Sequence, residues 1–342
     1  MAKGDVDMDM KHALKIANVA IILALCVVLL GAWTRINDAG LSCPDWPGCY
    51  GHMVLPSDPE TLNQAQNAYP QIPLEKHKTD LEMWHRYLAG GLGMLIAIMA
   101  FIAFRLRNIR AYPVKSSFGL LVLVIIQALF GMWTVTLKLY PPVVTLHLLG
   151  GVVTLTLLIF VRIRLSQVFA GLATEERISH MNLVRLAIMI LLLQIILGGW
   201  TSSNYAGPAC AHWFSCNPES EIRPDFKQGF NPMAVVGPNY QGGLLPVEAR
   251  SAIQIGHRFG AVTVVLMAIV LVFKLSHLPG LVKPLMFFSL LVMMQLVLGA
   301  LNVIFAVPSS LAMLHHAVAI ALLLSLLWIY AEIKTIEGVR YE

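Results

Sequence analysis

The sequence predicts an all-α membrane protein with eight transmembrane helices, and three observations support this. Hydrophobic residues make up 57% of the chain, charged residues only 13%, and the mean hydropathy is +0.71. Soluble domains carry markedly more charge. Long apolar stretches recur along the whole chain, and the second half repeats the first at a nearly constant spacing. We therefore expect a duplicated protein that crosses the membrane many times.

Eight apolar stretches are each long enough to cross about 30 Å of hydrocarbon, which requires about 20 helical residues. The first, at 14–35, has the apolar character of a signal peptide, but no small-residue cleavage site follows it. We therefore expect it to be a retained helix. The other predicted spans are 84–104, 117–137, 143–163, 183–203, 252–274, 281–304 and 311–332.

The basic residues indicate how the spans are oriented, because Lys and Arg accumulate in cytoplasmic loops. With the N-terminus inside the cell, most of the 24 Lys and Arg residues fall on the cytoplasmic side. The protein is then expected in the cell inner membrane, with both termini cytoplasmic and the long loops near 36–83 and 204–251 on the periplasmic side. The pI of about 9.0 reflects this sidedness and does not predict nucleic-acid binding.

The chain is an internal duplication, because residues 30–49 align with residues 197–216 without a gap. Each half is predicted to form a four-helix bundle, with domains at 1–165 and 166–342. An even number of helices per unit leaves both copies in one orientation, which predicts two tandem bundles related by a pseudo-twofold axis along the membrane normal. The matched pairs are Trp33 and Trp200, Thr34 and Thr201, Asn37 and Asn204, Gly40 and Gly207, Cys43 and Cys210, Trp46 and Trp213, and Cys49 and Cys216.

Four histidines occupy matched positions just inside the outer ends of apolar segments: His85 and His147 in the first half, and His257 and His315 in the second. Imidazoles at such positions are costly without a partner and are usually functional. Two facing imidazoles on bundle helices are the axial ligands that a haem iron takes. Zinc is a weaker alternative, because no carboxylate or cysteine cluster lies at the same depth. We predict one bis-histidine haem site in each half.

The remaining histidines are assigned no ligand role. His316 adjoins His315 but points about 100° away around the helix, and the repeat spacing selects His315. The others lie in loops or near the chain ends, where solvated side chains are expected: His12, His52, His77, His180, His212 and His277.

One acidic residue distinguishes the two halves. Glu82 precedes His85 by three residues and shares its helical face, whereas the matched residue before His257 is Gln254. A partly desolvated carboxylate can act as a general base or stabilise a developing cation, and a simple ion pair with Arg86 is the alternative. The asymmetry predicts a reacting haem in the first half and a permanent haem in the second.

Arg86 and Arg258 directly follow two of the predicted ligands. Guanidinium groups near the outer surface are suited to pair with haem propionates, since they bind carboxylates through two parallel hydrogen bonds. Snorkelling of a long basic side chain to the membrane interface explains the same positions nearly as well. We treat both arginines as candidate cofactor-binding residues.

Four of the five cysteines form two pairs of identical spacing, Cys43 with Cys49 and Cys210 with Cys216, both in the outward loops. An oxidising compartment permits disulfides there. A structural staple is the commoner use of such a pair, and exchange of electrons with a partner or a nearby haem is the alternative. Cys26 lies alone in the first span and is expected to be a packing residue.

Five stretches together resemble the haem A synthase family, and the resemblance spans all eight predicted helices. It implies an oxidoreductase that converts the C8 methyl group of haem O into a formyl group, giving haem A for cytochrome c oxidase. The stretches are TRINDAGLSCPDWPGCYG at 34–51, LEMWHR at 81–86, TLKLYPPVVTLHLLGG at 136–151, GHRFG at 256–260 and MLHH at 313–316.

The resemblance also assigns roles to residues of this chain. It implies that His85 and His147 hold the substrate haem, that His257 and His315 hold haem b, and that Glu82 is the catalytic carboxylate. Electron withdrawal would make the methyl carbon electrophilic, and Glu82 would position or deprotonate the attacking water. Expected partners are a haem O synthase that delivers substrate, the oxidase under assembly and membrane lipid. The sequence allows a homo-oligomer without specifying one.

Two other functions fit part of the sequence. An electron-transfer cytochrome b explains four histidines equally well, but it explains neither the pairing of Glu82 with Gln254 nor the long cysteine loops. A duplicated transporter would favour broken helices or charges at the membrane midplane, and the charges here lie at the ends of the spans.

Overall fold

A computed structural model describes residues 3–169, 180–210, 212, 216, 222–234 and 237–339, and the described residues are helical without a β-strand. Trp213, one of the residues matched by the repeat, lies outside them. The α-helices are α1 Lys3–Ile36, α2 Pro59–Ala68, α3 Lys76–Arg105, α4 Val114–Thr136, α5 Pro141–Phe169, α6 Met181–Ser203, α7 Phe226–Gly229, α8 Val247–Leu275, α9 Val282–Ile304 and α10 Ser309–Val339.

Eight helices within the described residues are long and apolar enough to cross a membrane, as the sequence predicted: all but α2 and α7. Their outer surfaces are apolar, with Phe101 62% and Phe273 77% exposed, which suits contact with lipid. The helices extend beyond the predicted spans, because hydropathy locates the apolar part of a helix and not its ends. Helix α3 begins at Lys76, eight residues before the predicted span at 84–104, so Glu82 lies well inside a helix.

The first unit contains α1 to α5, together with the short segment Pro238–Gln241. Helices α1 and α4 each pack against both α3 and α5. The packed face of α1 consists of small residues that are almost fully buried, and small residues let helix backbones approach closely. This arrangement places α3 and α5, the two helices that carry histidines, on a diagonal of the bundle. The small residues of α1 are Ala13, Ala17, Ala20 and Ala24.

The second unit contains α6 to α10 and has the same internal arrangement. Helices α6 and α9 each pack against both α8 and α10, so the two helices that carry histidines again lie on a diagonal. The duplication therefore preserved the packing partners of each helix as well as its sequence motifs.

The first long loop folds into a small structure of its own, where the sequence predicted only a loop. Asp58 caps α2 by accepting a hydrogen bond from the main-chain N–H of Thr61 at 2.8 Å. A hydrophobic cluster ties the loop to Met83 on α3, and its buried members are Cys43, Cys49, Tyr50, Ala65 and Met83. Burial raises the pKa of Tyr50, whose hydroxyl donates to the main-chain oxygen of Ile72. The loop is thereby fixed to the start of α3.

Candidate functional site

The four predicted histidines lie on four different helices and form two facing pairs. His85 on α3 faces His147 on α5 with ring centroids 6.3 Å apart, and His257 on α8 faces His315 on α10 at 6.5 Å. A metal held axially by two imidazoles, with bonds of about 2 Å to each ring nitrogen, separates the ring centroids by about 6 Å. The spacing of both pairs therefore fits a bis-histidine metal centre in each unit.

Each histidine ring lies against a glycine of a neighbouring helix: Gly31 of α1, Gly131 of α4, Gly198 of α6 and Gly299 of α9. A Cβ atom at Gly31 would lie 2.7 Å from Cε1 of His85. At the other three glycines it would lie 3.3 to 3.4 Å from Cε1 of the facing ring. Because the glycines match in pairs across the duplication, both the histidines and the surfaces that receive them were duplicated.

One helical turn before each of these glycines, α4, α6 and α9 carry a glutamine, whereas α1 carries a valine. Nε2 of Gln194 lies 3.2 Å from Nδ1 of His257, and Nε2 of Gln295 lies 3.2 Å from Nε2 of His315. The first helix has an apolar residue at this position. The four residues are Val27, Gln127, Gln194 and Gln295.

Buried nitrogen atoms test whether these residues suit a haem. Nδ1 of His85, His147 and His315 is buried and has no hydrogen-bond partner in the described part of the chain. A buried polar atom without a partner is costly. Such an atom therefore indicates a site where a bound ligand or a different ring orientation supplies the missing partner. Imidazoles from facing bundle helices are the donor set that haem iron takes. The residues present therefore fit a haem in each unit.

Zinc gains no support from the side-chain arrangement. Within the described residues, no three or more His, Cys, Asp or Glu side chains are grouped to hold a metal ion. A structural zinc site requires four such ligands, and a catalytic one requires three. The facing pairs supply two imidazoles each, which is the number that a porphyrin-bound iron needs.

Glu82 is buried at the edge of the first histidine pair and bonds to the first cysteine loop. Its Oε2 accepts hydrogen bonds from Oγ of Ser42 at 2.9 Å and from the main-chain N–H of Cys43 at 3.0 Å. Its Oε1 accepts from Nη2 of Arg86 at 2.5 Å. The Glu82 side chain is 6% exposed, so these contacts replace the water that the carboxyl group would otherwise bind. The predicted alternative of an ion pair with Arg86 is thus present, and it coexists with the loop contacts.

Arg86 joins the carboxylate to the same loop. Its Nη1 donates to the main-chain oxygens of Asp45 at 3.0 Å, Pro47 at 3.2 Å and Gly48. The guanidinium group is largely engaged by the loop and by Glu82. It serves as a clamp between α3 and the cysteine loop.

Within the described part of the second unit, no carboxylate pairs with Arg258 in this way. Nε2 of Gln254 donates to the main-chain oxygen of Gly207 at 3.1 Å, and Nη1 of Arg258 donates to that of His212 at 3.0 Å. Oε1 of Gln254 and Nη2 of Arg258 are buried and have no hydrogen-bond partner among the residues described. Arg258 therefore retains a donor that Arg86 uses for Glu82.

Both cysteine pairs lie at bonding distance. The sulfur atoms of Cys43 and Cys49 are 2.00 Å apart, as are those of Cys210 and Cys216. Cys26 is exposed on the surface of α1, so the expectation that it packs inside the protein is wrong. The physical reason is its position opposite the alanine face of α1, on the side that the bundle leaves uncovered.

Sequence reasoning missed the residues that hold the site in place. Ser42 and Gln194 were not identified, and Gly31 was treated only as part of the repeat. A signal existed, because a Gln four residues before a Gly recurs in α4, α6 and α9 and places both residues on one helical face. The contacts of Ser42 and Arg86 with Glu82 follow from the path of the loop, which no local pattern specifies.

The comparison with known proteins finds a family that covers most of the chain. Residues 15–327 match the model of the COX15-CtaA family, described as cytochrome oxidase assembly protein. The match therefore extends from the first membrane helix into the last.

Individual relatives are similar over nearly their whole length. The chain is 37% identical to a heme A synthase of Shewanella oneidensis, over 91% of this chain and 94% of the relative. It is 27% identical to a heme A synthase of Rhizorhabdus wittichii, over 90% of both chains. It is also 27% identical to a heme A synthase of Mesorhizobium japonicum, over 89% of this chain and 86% of the relative.

Proposed function

The chain belongs to the COX15-CtaA family of cytochrome oxidase assembly proteins, and from this premise we propose that it is an oxidoreductase that converts haem O into haem A. The reaction oxidises the C8 methyl group of haem O to a formyl group. The observation that carries the proposal is the buried carboxylate of Glu82 beside the first histidine pair, since the matched residue beside the second pair is Gln254.

We assign the substrate haem to the first unit and a resident haem b to the second. His85 and His147 would hold haem O or haem A, and His257 and His315 would hold haem b. The spacing of 6.3 Å and 6.5 Å between the ring centroids supports one iron in each unit. A haem b in the second unit supplies reversible one-electron chemistry when it is bound.

Glu82 is suited to handle water and protons beside the substrate. Conversion of a methyl to a formyl group takes an oxygen atom from water and releases protons and electrons, so the reaction needs a base and an external electron acceptor. A carboxylate offers about four lone-pair positions, and Ser42, Cys43 and Arg86 occupy three of them. Oε1 retains capacity to accept a hydrogen bond from water. We propose that Glu82 positions and deprotonates this water.

The arginines are proposed to differ in function. Nη2 of Arg258 is buried without a partner in the described chain, and a haem propionate would accept its hydrogen bond. Arg86 already donates to Glu82 and to three loop oxygens, so its first contribution is to hold the carboxylate. A propionate contact of Arg86 would use its remaining N–H groups.

The family and the sidedness of charge support a proposal for the cellular setting. We propose an inner-membrane location with both termini cytoplasmic and both disulfide loops periplasmic. The pseudo-twofold relation of the two units along the membrane normal remains a prediction from the duplication. Delivery of haem O by a haem O synthase, transfer of haem A to cytochrome c oxidase and homo-oligomer formation belong to the same proposal.

The haem content of cells that make the protein tests the proposed function. The protein is expressed with a haem O synthase in a host that lacks its own haem A synthase, and extracted haems are separated by liquid chromatography. Appearance of a formyl haem supports the proposal. If only haem O and haem b are recovered while the protein carries low-spin haem, an electron-transfer cytochrome b is the better description.

A further inference from the structure

The two units differ in how they hold a pair of matched histidines, His85 and His257. His257 contacts Gln194, whose Nε2 lies 3.2 Å from Nδ1 of the ring and also donates to the main-chain oxygen of His257 at 2.9 Å. One amide thus holds both the ring and the backbone of this residue. At the matched position of the first unit, Val27 has no polar side chain, and the ring of His85 interacts with its main chain instead.

A second matched position, on the helix that carries the histidine, also differs between the two units. Gly260 leaves room for the amide of Gln194, because a Cβ atom there would overlap Oε1 of Gln194. The residue matched to Gly260 in the first unit is Leu88. The second unit therefore combines Gln194 with Gly260, whereas the first combines Val27 with Leu88, and the polar brace is replaced on both helices.

The other matched pair differs as well, but at the second position: the amide of Gln127 lies against Gly150 in the first unit, whereas the residue matched to Gly150 in the second unit is Val318. His147 and His315 lie on helices that pack against α4 and α9, and both of those helices keep a glutamine one turn before the glycine, Gln127 and Gln295. Replacement of the glutamine itself by an apolar residue therefore concerns the matched pair His85 and His257. These two histidines lie on α3 and α8, the helices that carry Glu82 and Gln254.

A histidine ligand is influenced by the hydrogen-bond partner of the ring nitrogen that does not bind the metal. This partner fixes the ring orientation and raises the basicity of the nitrogen that binds the metal, and its loss commonly lowers metal affinity about 10-fold to 100-fold. A glutamine amide has both a donor and an acceptor, so it can serve Nδ1 in either tautomer of the ring. When Nε2 of His257 binds iron, Nδ1 carries the hydrogen and would donate it to Oε1 of Gln194 after a flip of the amide group; that oxygen is buried and has no hydrogen-bond partner in the described chain.

We infer that Gln194 is a positioning residue that makes the second unit retain its haem, and that Val27 and Leu88 withhold the same brace from His85 so that the first unit can exchange its haem. The inference rests on the proposed function, in which the first unit must accept haem O and release haem A while the second keeps haem b. Retention and exchange thus have a cause in two matched positions, one on each of two neighbouring helices in each unit.

Haem release from the purified, haem-loaded protein tests the inference. Transfer to excess apomyoglobin is followed separately for haem b and for haem O or haem A, and the midpoint potential of haem b is measured by redox titration. In Gln194→Val we expect haem b to leave at least about 10-fold faster and its potential to rise, because the ligand becomes less basic. Gln167→Val, the same change elsewhere in a membrane helix, should leave both unchanged.

A reciprocal variant keeps the inference testable if Gln194→Val does not fold. Val27→Gln combined with Leu88→Gly installs the brace in the first unit and should slow release of haem O and haem A without affecting haem b. Wild-type release and potential in Gln194→Val, or unchanged release in the reciprocal variant, would overturn the inference. Failure of the proposed function would instead appear as absence of formyl haem in the wild-type protein, with the release difference still measurable.

Discussion

The main-chain N–H of Cys43 donates a hydrogen bond to the carboxylate of Glu82 at 3.0 Å. Since Cys43 is also cross-linked to Cys49, the buried acid beside the first histidine pair is attached directly to a disulfide loop. The second unit keeps a disulfide, but Gln254 donates there to the main-chain oxygen of Gly207. The two units share a framework and differ at the residue that can exchange a proton.

Replacement of Glu82 by Gln should leave both haems bound and reduce formation of formyl haem at least about 100-fold, because the base is removed while the side-chain shape is kept. The measurement is chromatography of extracted haems, normalised to the haem bound by the purified variant. Gln254→Glu is the matched control, since it alters the same atoms in the other unit, and it should retain activity. Wild-type turnover in Glu82→Gln would exclude this carboxylate as the base.

Opening the two disulfides should have unequal effects. Changing Cys43 and Cys49 to Ser loosens the loop that donates to Glu82, so we expect a larger loss of turnover than when Cys210 and Cys216 are changed to Ser. Either disulfide is expected to stabilise the fold by about 2–4 kcal/mol. Activity and thermal unfolding of each double variant are measured together. Lost turnover with a wild-type unfolding temperature would favour a redox role for the first pair, whereas parallel loss of both would favour a structural staple.

Removing the charge of Arg86 should destabilise the protein more than the matched change of Arg258. Arg86→Gln leaves the buried carboxylate of Glu82 without its cation and frees three loop oxygens, for an expected cost of about 3–5 kcal/mol. Arg258→Gln loses one hydrogen bond to a main-chain oxygen, for a cost of about 1 kcal/mol. Thermal unfolding in detergent, followed by the haem absorbance and by circular dichroism, compares the two variants. Equal stability of the two would contradict the clamp assigned to Arg86.

A single methyl group at Gly31 should disturb the first haem site. In Gly31→Ala the added carbon would lie 2.7 Å from Cε1 of His85, so the ring or α1 must move. We expect reduced haem in the first unit and altered low-spin signals in electron paramagnetic resonance. Gly93→Ala on α3 is the control, because nothing lies within 4 Å of a Cβ there. If Gly31→Ala binds haem as the wild type does, the close contact between α1 and His85 has no bearing on ligation.

The eight membrane helices could be predicted because each needs only a local run of apolar residues. The cysteine pairing and the facing of His85 with His147 were likewise expected from spacing and repeat register. Helices α2 and α7 were not predicted, since they are short and polar and depend on caps such as Asp58 and Asp225. The prediction for Cys26 was wrong, because hydropathy does not tell which side of an apolar helix its neighbours cover.

The sequence by itself determined that the protein lies in a membrane, how many helices cross it and that the histidine positions are duplicated. These properties follow from composition and periodicity, which act along the chain. Only the tertiary structure decided that Ser42, Cys43 and Arg86 surround Glu82, and that Gln194 braces His257 while Val27 lies beside His85. Hydrogen bonds between residues far apart in the chain depend on how helices and loops pack, and packing brings together groups that no local pattern relates.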